Sequence, residues 1–264
     1  MQHGFICLVI VLLCLPIAWM YVFSFGHESD VSGATLLPRS GFSFDGYIQV
    51  FSQTPFLQWA NNSIVLATSM TIINLVIGFF AAYSFTRFRF PGRNLLFYFV
   101  LATMVIPTQA IMIPTFITIN YFRMINTFAG VMFPFLASGY AIFFLRQSFL
   151  TIPDSLVEAA MIDGASETQI LVHIYLPLAI PIMSALGIIL FVQHWNTYYW
   201  PLLVLSRQDL LTLPVALVRF KNEGIIEWVP TLAASVMATT PVMVLYLYTQ
   251  KAFVEGFSQS GIKG

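Results

Sequence analysis

The sequence has 264 residues, of which 58% are hydrophobic and 8% are charged, with a mean hydropathy of +0.83. This composition is far more apolar than that of an ordinary soluble domain, so we expect lipid to surround most of the chain. Its 11 basic and 11 acidic residues cancel, and a chain without a basic excess is a poor candidate for binding nucleic acid.

Six segments are long and apolar enough to cross a bilayer as helices. A hydrocarbon core of roughly 30 Å takes about 20 residues, and only helices satisfy the backbone there without water. No interior of these segments contains Asp, Glu, Lys or Arg. We therefore predict an all-α membrane protein with six transmembrane helices, spanning approximately Phe5–Phe25, Ile64–Phe85, Leu95–Ile119, Phe128–Leu145, Tyr175–Val192 and Thr231–Tyr248.

The first predicted span carries both cysteines, Cys7 and Cys14, seven residues apart. This spacing puts them near one face of a helix and does not resemble a metal-binding pattern, so we interpret them as small hydrophobic residues and predict no metal site. No small-x-small cleavage pattern follows the apolar run, which favours a retained helix over a cleaved signal.

Basic residues in short loops set the orientation of a membrane protein. Arg87, Arg89 and Arg93 crowd the short connection between the second and third spans, which predicts that this connection is cytoplasmic. Both termini and the loop at about 150–175 then lie in the cytoplasm too. We divide the chain into residues 1–60, with the first span and an outward loop, and a core transmembrane domain over residues 61–264, which includes the loop at about 150–175.

Prolines occur in several of the spans. Each removes an amide donor and bends a helix, which is tolerated where neighbours satisfy the freed carbonyl. Simple packing explains them as well as a bundle that rocks between two states. They are Pro16, Pro107, Pro114, Pro134, Pro177, Pro181 and Pro241.

The predicted cytoplasmic loop has the pattern of two short helices joined by a turn. Pro153 suits the start of a helix, and Asp154 suits its positive end. Gly164 can take a positive φ and stop that helix. Ser166 and Gln169 have capping-box spacing, so a second helix is predicted to start at once and to lead into the fifth span.

The same loop resembles the EAA loop of ABC importer membrane subunits. That pattern is Glu-Ala-Ala, three residues, Gly, nine residues and Ile-x-Leu-Pro, and it is matched by Glu158-Ala159-Ala160, Gly164 and Ile174-x-Leu176-Pro177. The resemblance implies a type I importer permease with a cytoplasmic coupling helix that docks into an ATP-hydrolysing subunit. The residues expected to couple to it are Glu158, Ala159, Ala160, Asp163, Gly164 and Ala165.

Further features are similar to the carbohydrate-uptake branch of these permeases. They are Trp195-Asn196, Trp200-Pro-Leu-Leu203, Thr212-Leu-Pro214 and Phe253-x-x-Gly256, and the resemblance covers the chain from about Asn61 onward. It implies transport of a di- or oligosaccharide across the bacterial inner membrane. The implied partners are a second, homologous permease subunit, two copies of an ATP-binding subunit and an extracytoplasmic solute-binding protein.

No Gly-x-x-x-x-Gly-Lys-Ser/Thr phosphate loop occurs in the sequence. The chain is therefore expected to have no ATPase activity of its own, with ATP and Mg²⁺ bound by the partner subunits. Uptake of glycerol phosphate or a phosphodiester remains an alternative, because related permeases carry such cargo. An ion-coupled secondary carrier is a rival that ordinarily needs an ionisable relay inside the spans. A scaffold that merely recruits an ATPase is another.

Aromatic rings and amides recognise sugars, which makes a polar and aromatic cluster a candidate substrate path. The segment His194–Trp200 is such a cluster, although its place near the outer headgroup level favours an interfacial aromatic belt over a substrate path. Amides inside spans are weaker candidates, because they usually bond between helices. The candidates are Asn74, Gln109, Trp195, Asn196, Tyr198 and Tyr199.

A mixed-charge outer loop is the candidate contact for a solute-binding protein. Rim charges of both signs tend to steer docking, but a merely solvated loop has the same composition. The candidate residues are Arg207, Asp209, Arg219, Lys221 and Glu223.

Overall fold

The structure, a computed structural model, describes residues 2–33, 37–222 and 227–261, with side chains described except at 2, 3, 32, 219–222 and 251–261. Within these ranges the chain is helical and has no β-strand, which confirms the all-α prediction. The α-helices are α1 (Gln2–Phe23), α2 (Glu28–Ser32), α3 (Asp45–Gln53), α4 (Phe56–Arg87), α5 (Arg93–Val105), α6 (Thr108–Tyr121), α7 (Phe128–Met132), α8 (Gly139–Phe149), α9 (Asp154–Ile162), α10 (Glu167–Ile170), α11 (Leu176–Trp195), α12 (Tyr199–Val204), α13 (Leu213–Asn222) and α14 (Trp228–Gly261).

Among the described residues, four helical stretches are long and apolar enough to span a membrane, and six spans result if each of two bent helix pairs counts as one. The four are Gly4–Phe23, Phe56–Arg87, Glu167–Trp195 and Trp228–Gln250. One turn of π-helix, Leu171–Tyr175, joins α10 to α11, so the fifth span is continuous with the loop that precedes it. The predicted segments therefore reappear as these elements, with α4 beginning eight residues earlier than predicted.

The structure departs from the single helix predicted over Leu95–Ile119. Helices α5 and α6 meet at an angle of 103°, with the break at Ile106 and Pro107. Both residues have extended backbone, as expected for a proline, which has no N–H to donate, and for the residue before it. Composition alone could not distinguish this broken pair from a straight span.

The fourth predicted span is also bent. Helix α7 continues into a 3₁₀ turn, Phe133–Phe135, and this pair meets α8 at 45°. Side-chain hydroxyls cap both helices, because Thr127 accepts from the Gly130 N–H at 3.0 Å and Ser138 accepts from the Ala141 N–H at 3.3 Å. The Ser138 cap lies directly at the break and starts α8 there.

The chain forms two compact units, which differ from the sequence-based boundary at residue 60. Unit 1 comprises residues 1–63 and 206–244, and unit 2 comprises residues 64–205 and 245–264. The segment after α12 therefore groups with the N-terminal part of the chain.

Unit 1 is held by polar contacts between segments distant in sequence. The Glu28 carboxylate accepts from the backbone N–H groups of Trp228 and Val229, at 2.8 and 3.1 Å. A carboxylate there satisfies the exposed donors at the start of α14 and complements its dipole. Trp59 Nε1 and Asn62 Nδ2, on the first turns of α4, donate to backbone carbonyls of residues 208–211 at 2.8 to 3.0 Å. These bonds explain why 206–213 packs with the N-terminal segment.

Unit 2 contains a close helix crossing. A Cβ added at Gly78 on α4 would lie only 3.0 Å from Ala141 Cβ and 3.2 Å from Leu145 Cδ1 on α8. Small residues at membrane-helix crossings allow such close approach. The short apolar segment Tyr199–Val204 forms helix α12, in which Trp200 and Val204 are buried.

Candidate functional site

The loop at about 150–175 folds as a helical hairpin, consisting of α9, a turn over residues 163–165, and α10. Gly164 has φ = 82°, the left-handed conformation that favours glycine. The Ala165 N–H donates to the Ala160 carbonyl at 2.9 Å, and the Gly164 N–H donates to the Met161 carbonyl at 3.1 Å. Glycine therefore ends α9 as the sequence predicts, with its backbone donors satisfied.

The second arm begins with the predicted capping box. Ser166 Oγ accepts from the Gln169 N–H at 3.3 Å, and Gln169 Oε1 accepts from the Ser166 N–H at 2.8 Å. This reciprocal pair satisfies two donors at the start of a helix. Because α10 continues through the π-helical turn into α11, the hairpin is directly connected to a predicted span.

An aromatic core anchors the base of the hairpin. Tyr175 packs edge-on against Tyr83 and Phe149, with ring centroids 4.8 and 5.1 Å apart. Val157 of α9 and Ile170 of α10 are 4% and 1% exposed in the same cluster. Edge-to-face rings add stabilisation beyond their buried area. Both arms are thereby packed against the ends of α4 and α8.

The opposite surface of the hairpin is open. The side chains of Leu156 and Ile162 on α9 are 46% and 86% exposed. Large apolar side chains exposed together on a surface are typical of a protein interaction site.

The six predicted coupling residues divide between these two surfaces. Ala160 and Ala165 pack towards the aromatic core, whereas the others are exposed. The two motif alanines are therefore split, with Ala159 outward and Ala160 inward beside the buried Val157. The exposed members are Glu158, Ala159, Asp163 and Gly164.

A polar cluster beside the hairpin was not identified as functional from the sequence. Arg87, the last residue of α4, forms an ion pair with Glu167 at 2.8 Å, and the Tyr83 hydroxyl donates to the same carboxylate at 2.7 Å. Arg87 had served only to predict orientation, and Glu167 lies outside the matched motif positions. The sequence offered one usable signal, which is an arginine at the end of a predicted span together with an acidic residue at the start of a predicted cytoplasmic helix.

Asn74, a predicted substrate-path residue, is 2% exposed and bonds within the protein. Its Nδ2 donates to the carbonyls of Phe135 and Leu136, at 2.9 and 2.8 Å, where the chain breaks between α7 and α8. Since both amide hydrogens point to carbonyls, Oδ1 is the acceptor, and His194 Nε2 donates to it at 3.2 Å. Asn74 thus satisfies the backbone of a broken helix.

The other path candidates lie in different settings. Trp195 is 3% exposed and stacks on Phe191, with centroids 5.9 Å apart. Tyr198 and Tyr199 contact each other edge-on, and Tyr199 is 60% exposed. Gln109 on α6 and Asn196 at the end of α11 are both exposed. The structure does not bring Asn74 and the tyrosines into one described cluster.

The outer-loop candidates are only partly described. Arg207 and Asp209 form an exposed ion pair with contacts of 2.6 and 3.0 Å. Hydrogen bonds from the Arg207 guanidinium hold the pKa of Asp209 below its usual value. The side chains of Arg219 and Lys221 on α13, and Glu223 as a whole, lie outside the described residues. In the described part of the chain, no group of three or more His, Cys, Asp or Glu residues is placed to hold a metal ion.

Comparison with known proteins gives a family match and a fold match. Residues 74–257 match the family described as the inner membrane component of binding-protein-dependent transport systems. The sn-glycerol-3-phosphate transport system permease protein UgpE of Shigella flexneri is 37% identical over 211 residues, covering 79% of this chain and 75% of that protein. The arabinooligosaccharides transport system permease protein AraQ of Halalkalibacterium halodurans is 31% identical over 253 residues, covering 94% and 91%.

Two solved structures share the fold. A chain of a bacterial ABC transporter involved in the import of the acidic polysaccharide alginate superposes with a TM-score of 0.86 at 24% identity, covering 96% of this chain and 95% of that one. A chain from a bacterial alginate ABC transporter in complex with an alginate pentasaccharide-bound periplasmic protein gives 0.72 at 13% identity, covering 96% and 94%. The type I importer permease fold expected from the EAA resemblance is thereby confirmed.

Proposed function

The chain belongs to the family of binding-protein-dependent transport system inner membrane components, and we propose that it is the permease subunit of an ATP-driven importer for a di- or oligosaccharide. Its helical hairpin docks on an ATP-binding subunit, and a second, homologous permease subunit completes the substrate path. Two ATP-binding subunits supply ATP, Mg²⁺ and hydrolysis. A solute-binding protein delivers the sugar from outside, and both termini lie in the cytoplasm.

The observation that carries this proposal is the exposed face of the hairpin. Leu156 and Ile162 are large apolar side chains on a surface helix, and Glu158 lies exposed on the same short helix. A helix with such a face suits a groove on a partner protein. Glu158 and Ala159 of the EAA motif lie on the exposed side of this helix, and the packed base on α4 and α8 gives the helix a firm support.

Two observations bear on the cargo. AraQ supports an oligosaccharide, and it aligns with most of this chain. The interiors of the predicted spans also lack Lys and Arg, which favours a neutral substrate over an anionic one.

A second candidate cargo is glycerol phosphate. UgpE, an sn-glycerol-3-phosphate permease protein, supports this cargo, and its identity to this chain is higher than that of AraQ. The break before α6 supports it too, because α6 begins at Thr108 without a side-chain cap, and helix N-termini at broken spans attract anions. Paired transport assays with an arabino-oligosaccharide and sn-glycerol 3-phosphate separate the two candidates.

Reconstitution tests the importer itself. The complex is purified through a tag on this chain, placed in proteoliposomes with its solute-binding protein, and supplied with either radiolabelled probe. Glu158→Lys is expected to lower ATP-dependent uptake by at least about tenfold, because a reversed charge at a docking face costs several kcal/mol. Asp45→Lys, the same charge change at an exposed position on α3, is the matched control and is expected to leave uptake nearly unchanged. Uptake that continues without any ATPase present contradicts the proposal.

A further inference from the structure

The guanidinium of Arg87 occupies the junction between α4 and the helical hairpin. Its Nη2 donates to Glu167 Oε1 at 2.8 Å and its Nε donates to Oε2 at 3.3 Å, which is a two-pronged contact. The Tyr83 hydroxyl, one turn earlier on α4, donates to Oε2 at 2.7 Å. Both carboxylate oxygens are therefore bound from α4, and a two-pronged contact fixes orientation as well as distance.

The same guanidinium also reaches the other arm of the hairpin. Arg87 Nη2 lies 3.1 Å from Met161 Sδ on α9, while Glu167 begins α10. These two contacts lie on either side of Gly164, whose added Cβ finds no atom within 4 Å. The cross-link through Arg87 therefore bridges the two arms and restrains the angle between them.

The exposure of this cluster indicates positioning as its main role. The side chains of Arg87 and Glu167 are 22% and 48% exposed, and ion pairs so open to water add little to folding stability. The aromatic packing of Tyr83, Phe149 and Tyr175 holds the base in any case. What the ion pair adds is a directional link from α4 to both arms.

We infer that Arg87, with Glu167 and Tyr83, is a positioning clamp that makes the helical hairpin move as one body with α4. The inference rests on the proposed function, because it describes how a displacement of α9 by an ATP-binding subunit reaches the membrane helices. In this arrangement the push enters α11 through the continuous chain and α4 through the clamp. Two membrane helices then receive the same displacement.

Electron paramagnetic resonance distances test the clamp in the assembled complex. Spin labels are placed at Val76→Cys on α4 and Ala159→Cys on α9, both exposed positions, after Cys7 and Cys14 are replaced by alanine. The complex is measured nucleotide-free and trapped with ATP and vanadate. With the clamp intact, the distance is expected to agree within about 2 Å between the states, the size of ordinary helix shifts. In the Arg87→Met variant, the label-to-label distance is expected to change by more than this on trapping. The nucleotide-free distance distribution is also expected to be broader than that of the wild type.

Two further variants make the result specific. Arg89→Met, on the exposed loop two residues beyond Arg87, removes the same charge and is expected to match the wild type. The exchange Arg87→Glu with Glu167→Arg is expected to restore the narrow distribution, which a general loss of folding does not do. If the distance distributions of Arg87→Met and Arg89→Met agree in both states, the proposed clamp is wrong. If no ATP-binding chain co-purifies, the proposed function fails separately, and the nucleotide-free distributions still decide the clamp.

Discussion

The helical hairpin and the segment from His194 to Trp200 both carry residues that the sequence marks as candidate site residues, and the two regions use them in opposite ways. The hairpin leaves its motif residues Glu158 and Ala159 exposed. Residues that were not identified as functional from the sequence, such as Arg87, hold it in place. The His194–Trp200 segment turns much of its polar chemistry inward. His194 donates to Asn74, and Trp200 Nε1 donates to the Val131 carbonyl at 3.1 Å.

The difference follows from the solvent around each region. In water an exposed polar group costs nothing, so a surface that a partner recognises can keep its motif residues free of internal bonds. In a bilayer every freed carbonyl must find a donor within the protein. A broken span therefore recruits nearby amides and indole N–H groups before any are left for a substrate.

The largest expected effect comes from removing the inward-facing hydrogen bonds that link Asn74 to His194 and to the broken fourth span. Asn74→Leu removes two donors to the Phe135 and Leu136 carbonyls and the acceptor of His194. Buried groups left unpaired cost about 1–3 kcal/mol each, so a destabilisation of about 3 kcal/mol is expected. The measurement is the thermal midpoint of the purified complex in detergent.

Asn196→Leu is the matched control for that change, because Asn196 is exposed at the end of α11. It is expected to shift the midpoint little. If Asn196→Leu lowers uptake while leaving stability intact, the substrate path passes beside it. Equal midpoints for the two variants contradict the structural role assigned to Asn74.

A smaller effect is expected from a change in the capping box of the helical hairpin. Ser166→Ala removes one half of the capping box at the start of α10 and is expected to cost about 1 kcal/mol locally. Hydrogen exchange of the Gln169 amide, which donates to Ser166 Oγ, is expected to accelerate by about fivefold, since 1.4 kcal/mol corresponds to tenfold. Thr168→Ala, an exposed neighbour, is the control. Unchanged exchange at Gln169 means that the box does not stabilise this turn.

How far the sequence predicts this protein depends on whether a feature is local. The hairpin was predictable because Gly164, Ser166 and Gln169 act on neighbours within a few residues. The 103° break at Pro107 was not, because a proline bends a span by an amount that its packing partners decide. The pairing of Asn74 with His194, and of Arg87 with Glu167, joins residues 120 and 80 positions apart, which no local pattern encodes.

The central claim is that the exposed face of α9 meets an ATP-binding chain in the cytoplasm. A photo-reactive benzoylphenylalanine at position 159, in cells carrying the complete transport system, tests it directly, with position 45 on α3 as the control. After irradiation, the tagged chain is purified and its adducts are sequenced by mass spectrometry. The account predicts an adduct at 159, absent at 45, with a chain that carries a Gly-x-x-x-x-Gly-Lys-Ser/Thr phosphate loop. Adducts at 159 with extracytoplasmic proteins, or none with a nucleotide-binding chain, contradict it.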